Sequence, residues 1–255
     1  MHVIAVWSVK GGVGKTAAAV NLASLAARSG MRTLLWDLDP QGAASFYFRI
    51  RARVKGGGRT VLRRSVDLRT VLRATDVENL DLLPADFSYG RLDLELDARK
   101  DPAERIALKL APLADEYDWA LLDCAPSVSL ASEAVLRASD ALLVPVIPTT
   151  LAVRGLEQVR AFAESVGDKR LLVLPFLSMV DRRKKLHREI VDACAGSDDG
   201  FLTTSIPNAS IVERMGVHRG PVVDFAPRSE AAQAFAALWN EVRGRVSAGH
   251  GRHRS

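Results

Sequence analysis

The chain has 255 residues, 48% hydrophobic and 25% charged, with 35 Lys and Arg against 30 Asp and Glu for a net charge of +5. Those shares suit a folded α/β protein and exclude wholesale disorder and collagen-like repeats, and no apolar run reaches the roughly 20 residues that cross a bilayer. Only two cysteines are present, Cys124 and Cys194, far apart and outside any CxxC, which argues against a disulfide scaffold and for a reducing cytoplasm.

In chain order, Met1-His2 leads straight into an apolar run at Val3–Val9, read as a first strand and not as a cleaved leader. A helix is expected over Ala17–Ser29. Further strands are expected at Thr33–Trp36, Leu80–Leu83, Trp119–Leu122, Ala141–Val146, Leu171–Phe176 and Val222–Phe225, with helices at Ser129–Ser139 and Leu151–Ser165 between them. The strands are unbroken Val/Leu/Ile blocks, the pattern of parallel strands buried on both faces. Such alternation predicts an α/β fold with a doubly wound, mostly parallel sheet flanked by helices. A last helix is expected from an N-cap at Ser229 through Val246, with Phe235, Leu238, Trp239, Val242 and Val246 on one stripe. Without repeats or linkers, residues 1–246 read as a single domain and 247–255 as a polar, disordered tail.

Between the first strand and first helix stands Lys10-Gly11-Gly12-Val13-Gly14-Lys15-Thr16. Phosphate oxygens need several donors converging on one point, and a glycine-rich turn exposes successive backbone N–H groups beside the positive end of the next helix. Lys15 adds a point charge for the β- and γ-phosphates, and the Thr16 hydroxyl can ligate Mg²⁺. The ordinary GxxxxGK[ST] pattern would put glycine at position 9. This chain has Val9 there, and a second lysine, Lys10, after it.

That loop resembles the deviant Walker A motif of the ParA/MinD family of ATPases. Asp37-Leu38-Asp39-Pro40-Gln41-Gly42 is similar to the family's second motif, and Leu121-Leu122-Asp123-Cys124-Ala125-Pro126-Ser127 to its Walker B segment. Ile206-Pro207 followed by Gly220-Pro221-Val222 resembles its nucleotide-base region, so the likeness spans roughly residues 1–245 and is closest to the ParA branch. The resemblance implies a P-loop NTPase that binds and hydrolyses ATP with Mg²⁺. Gly11 to Ala17 would then hold the phosphates, Thr16 and Asp123 the metal, and Pro207 and Asn208 the base. Asp39 would position the attacking water, with Asp37 as its partner. Lys10 would reach across a dimer interface to neutralise charge developing on the neighbour's phosphates. Three residues depart from the family pattern: Ala17 for a hydroxyl residue that touches the α-phosphate, Ala125 for a proline, and Ala209 where asparagine is usual.

The ParA resemblance further implies an ATP-bound sandwich homodimer on non-specific DNA and a ParB-like or cargo-adaptor protein that triggers hydrolysis. The cycle would segregate or position a plasmid, chromosome or protein assembly from a cytoplasmic, nucleoid-associated location, with no stable membrane association. For DNA contact the densest cluster is Arg182, Arg183, Lys184, Lys185 and Arg188, of which Arg182, Lys185 and Arg188 would share one edge if they open a helix. A second basic stretch holds Arg49, Arg51, Arg53, Lys55, Arg59, Arg63 and Arg64, and a third Arg243, Arg245, Arg252 and Arg254. The alternative is a MinD-like membrane-associated positioning ATPase, for which the Phe235–Val246 stripe is the one amphipathic candidate. A metallocluster protein would need paired thiolates, which the spacing of Cys124 and Cys194 does not suggest.

Overall fold

The computed structural model describes residues 1–63, 65–98, 101–166, 171–195 and 199–251. The strands are β1 (His2–Val6), β2 (Thr33–Asp37), β3 (Arg73–Ala74), β4 (Leu80–Leu83), β5 (Trp119–Asp123), β6 (Ala141–Val146) and β7 (Leu172–Leu177). They form one sheet in the order β3-β4-β2-β5-β1-β6-β7, parallel throughout except for the β3–β4 pair.

Successive strand residues go to opposite cores. Ile4, Val6, Leu35, Leu121 and Leu143 pack on one face, and Ala5, Trp7, Leu34, Trp36, Leu122 and Leu142 on the other. The first face is covered by α1 (Lys15–Arg28) and the final helix Glu230–Gly251, the second by the helices Leu130–Arg137 and Thr150–Ser165. With both faces covered, the interior positions of the central strands are apolar on both sides, which explains the unbroken runs.

Ser229 caps the final helix, its hydroxyl accepting from Ala232 N–H at 3.2 Å. Phe235, Leu238, Trp239, Val242 and Val246 are all buried, and the Trp239 ring meets Trp119 edge-on at 5.0 Å. Each such side chain contributes roughly 2 kcal/mol of burial, so this stripe is core and is not free to enter a bilayer. The helix continues past Val246 to Gly251.

Two strand expectations need correction. Val222–Phe225 is a single helical turn: Pro221 enters it extended, and Val223 N–H donates to Asn21 Oδ1 of α1 at 3.2 Å. So short a block, three apolar residues around Asp224, does not by itself separate a strand from a half-buried helical turn. The remaining strand is Arg73–Ala74, two exposed residues without a hydrophobic signal. β1 also stops at Val6, three residues short of Val9, because the backbone then turns into the glycine loop.

Candidate nucleotide site

Parallel strands deliver their C-terminal ends to one edge of the sheet, where ligands of open α/β folds gather. There β1 gives way to the glycine loop. Gly12 and Gly14 have φ of +70° and +92°, and a Cβ on Gly14 would lie 2.9 Å from the Ser178 hydroxyl oxygen. Glycine is therefore required at position 14 for both conformation and space. The loop runs directly into α1, so its N–H groups and the helix's positive end converge on the same point.

Lys15 opens α1 and is 6% exposed, its Nζ donating to the Lys10 carbonyl at 3.1 Å. Burial pushes its ammonium below the ordinary lysine range, and the charges of Asp123 and Asp39 oppose that shift. Lys10, five residues earlier in the same loop, is exposed.

Asp37 and Asp123 end β2 and β5 as register partners, and both are fully buried. Asp37 Oδ2 accepts from Ser45 N–H and Ser45 Oγ–H, each at 2.7 Å. Burial pushes its carboxyl up to about 6 against the pull of those bonds. Burial, then the neighbouring Asp37, raises Asp123 well above the carboxylate range, with Thr16 and Lys15 pulling the other way. Both Asp123 oxygens are buried without a hydrogen-bond partner. A carboxylate in that state beside a threonine hydroxyl fits a hard divalent cation, which takes oxygen donors and neutralises the buried charge. Among the described residues no group of three or more His, Cys, Asp or Glu is arranged around a metal. Mg²⁺ is held by one or two carboxylates together with substrate phosphates, a donor set to which Asp123 and Thr16 could contribute.

A cavity of about 600 Å³ joins most of the expected residues. Gly11, Gly12, Gly14, Lys15, Thr16, Ala17 and Asp39 line it, and Pro207 and Asn208 line it from across the site. The latter two arrive because residues 206–208 zip onto the end of β7: Val180 N–H donates to the Ile206 carbonyl and Asn208 N–H to the Val180 carbonyl, each at 2.9 Å. Asp39 is half-buried, with Oδ1 accepting from Gln41 N–H at 2.9 Å. Val13 is buried but does not line this cavity.

Sequence reasoning missed Tyr47 and Ser178 in the cavity wall and the Ser45 partner of Asp37. Tyr47 lies in α2 (Ala43–Tyr47), and burial followed by the Asp123 charge raises its phenol above the usual range. Nothing in its sequence setting distinguished it from an ordinary helix residue.

The basic residues are dispersed more than their spacing suggested. The helix there is Lys185–Ala195, so Arg182 and Arg183 sit in the preceding turn and do not share a helical edge with Arg188. Arg183 pairs with Asp181 at 2.9 Å, Lys185 with Glu189 at 3.5 Å, and Arg188 donates to the Arg182 carbonyl at 2.7 Å. In the second stretch Arg49 pairs with Asp76 and Arg59 with Glu95. Arg64, Arg252 and Arg254 lie outside the described residues.

Residues 1–173 match a protein-family model described as an AAA domain. The chain is 32% identical over 246 residues to the sporulation initiation inhibitor protein Soj of Bacillus subtilis, covering 94% of this chain and 97% of that one. It is 31% identical over 250 residues to the chromosome partitioning protein ParA of Caulobacter vibrioides, covering 95% and 94%. Among solved structures it superposes with a TM-score of 0.82 and 25% identity on the cobyrinic acid a,c-diamide synthase of Mycobacterium smegmatis with bound ADP and magnesium, over 98% of this chain and 96% of that one.

Proposed function

The chain belongs to the ParA/Soj family of P-loop ATPases, and from that membership we propose that it works as an ATP-dependent switch that dimerises, holds non-specific DNA and positions a cargo. The observation that carries this reading is one loop holding a buried lysine, Lys15, in the cavity and an exposed lysine, Lys10, outside it. One cation serves the protomer's own phosphates and the other is free to serve a neighbour's.

On this reading ATP occupies the 600 Å³ cavity, with its phosphates on the loop N–H groups and Lys15 and its base towards Pro207 and Asn208. The magnesium bound with ADP in the Mycobacterium smegmatis neighbour supports Mg²⁺ as the partner of Thr16 and Asp123. Bound there, the ion neutralises phosphate charge and polarises the γ-phosphoryl group. Asp39 accepts a hydrogen bond from the attacking water and aims it, while Lys10 from the second protomer stabilises charge on the leaving oxygens. Val9, Val128 and Leu151 follow the C-terminal ends of β1, β5 and β6 and are 41%, 57% and 74% exposed, giving this edge the apolar contacts a second protomer would bury. Hydrolysis on contact with a ParB-like or adaptor protein would release the dimer, and cycles of binding and release would carry the cargo over the nucleoid.

DNA contact by Arg182, Arg183, Lys185 and Arg188 is part of this proposal. A membrane track is disfavoured because the stripe Phe235–Val246 is packed in the core. The deciding experiment is binding to random-sequence duplex DNA with a slowly hydrolysed ATP analogue and with ADP. Affinity in the analogue state alone supports the switch. Equal affinity in both states, or none in either, refutes it.

A further inference from the structure

Outside the nucleotide site, a strongly charged cleft of about 500 Å³ lies at the β3 edge of the sheet. Four cations line it: Arg51, Arg53 and Lys55 from the loop after α2, and Arg73 from β3. No acidic residue among the described ones lines it, and all four side chains are exposed. Their neighbours in sequence behave differently, since Arg49 and Arg59 are taken up by Asp76 and Glu95. Among the described residues none of the four makes an ion pair, and only Arg53 is close enough to Asp86, which holds the Val54 N–H, to help lower that carboxyl. Gathering four like charges around one cleft is unfavourable unless an anion offsets it.

We propose that this cleft is a binding site for the phosphate backbone of DNA, separate from the cluster at 182–188. The inference rests on the DNA-binding reading above and names a surface for it. Phosphate contact needs guanidinium and ammonium groups and little else. A protein partner would need a buried apolar or aromatic anchor, and here only the half-buried Ile50 and the exposed Ala74 are apolar. The lining therefore favours nucleic acid over an acidic peptide.

The cleft also lies against the turn that carries Asp39. Gly42 ends the Asp39-Pro40-Gln41-Gly42 turn with φ +67°, and a Cβ there would fall 2.7 Å from the Ala52 methyl. Ala52 stands between Arg51 and Arg53. Val54 N–H, in the same loop, is anchored to Asp86 Oδ2 at 2.9 Å. The 39–42 turn and the loop that carries Arg51 and Arg53 thus lie close together, a route by which a shift of that turn would reach the cleft.

The test measures binding of the ATP-analogue form of the full chain to a random-sequence duplex over a salt series, for wild type, Arg51→Glu with Arg53→Glu, and Arg73→Gln. The double charge reversal is expected to weaken binding at least tenfold and to flatten the slope of log K against log salt by about 0.9 for each phosphate that is no longer neutralised. Arg73→Gln, on a different element and without charge reversal, is expected to weaken binding roughly threefold to tenfold, so a folding defect in the double variant cannot imitate the result. Wild-type affinity and slope in both variants would overturn the cleft assignment while leaving DNA binding intact. Failure of the wild type itself to bind would instead overturn the reading on which this one rests.

Discussion

Asp37 and Asp123 face each other at the C-terminal ends of β2 and β5, two fully buried carboxyls in paired register. Only Asp37 has its own donors, the N–H and hydroxyl of Ser45; both oxygens of Asp123 lack one. The pair is thus asymmetric: Asp37 Oδ2 is held by Ser45, and both Asp123 oxygens are buried without a donor. Two such groups cannot both ionise cheaply in a low-dielectric site, so metal binding and proton release are coupled here.

Asp123→Asn is expected to abolish the Mg²⁺ dependence of nucleotide binding. It also removes a buried carboxyl whose ionisation burial opposes, so the nucleotide-free protein should melt no lower than wild type. Thermal melts with ATP analogue, with and without Mg²⁺, check both points. Retained magnesium-dependent stabilisation would remove Asp123 from the metal site.

Lys15→Ala deletes the buried ammonium of the loop. Loss of charge-assisted bonds to phosphate should weaken analogue binding by about 2–3 kcal/mol, roughly 30- to 150-fold. Because the buried charge carries a desolvation cost of its own, the nucleotide-free protein should not lose comparable stability. Calorimetric titration beside a denaturant melt separates the two effects.

Asp39→Ala should leave nucleotide binding in place and reduce single-turnover hydrolysis by about 10²- to 10⁴-fold, the range for loss of a positioned base or water-orienting group. Among the described residues its side chain bonds to the Gln41 N–H two residues on, so its truncation disturbs little beyond that turn. Wild-type turnover would give the role to another residue.

Glu241 ties the final helix to the preceding loop, accepting from Thr203 N–H at 2.8 Å and Thr204 N–H at 3.0 Å. Those bonds, against partial burial, hold its carboxyl below the ordinary value of 4.5. A depressed carboxylate stabilises the fold above its unfolded pKa and loses that contribution as pH falls through the folded pKa. Glu241→Gln should therefore cost about 1 kcal/mol at pH 7 after allowance for solvent screening, and the difference should vanish in acid below the folded pKa. Denaturant melts across that range test it; a constant difference would mean that packing, not charge, is lost.

Much of this was legible in the residues. The apolar runs gave the parallel sheet because both faces are covered, and the Gly14-Lys15-Thr16 junction placed the phosphate loop between strand and helix. Pro207 and Asn208 reached the cavity although Ala209 breaks the family pattern, because the backbone bonds of Val180 fix that segment whatever the side chain. What the sequence did not show depended on distance in space. Arg73 joins Arg51 and Arg53 across some twenty residues of chain, and Ser45 reaches Asp37 through a hydroxyl that no periodicity marks. Val222–Phe225 looked like a strand because three apolar residues around Asp224 are too few to carry a period.

The central claim, that ATP and not ADP assembles the active switch, is tested most directly by sedimentation velocity of the wild-type chain with ATP analogue and Mg²⁺, with ADP and Mg²⁺, and without nucleotide. A dimer in the analogue state alone, lost on Lys15→Ala, is the expected result. The same mass in all three states would contradict it.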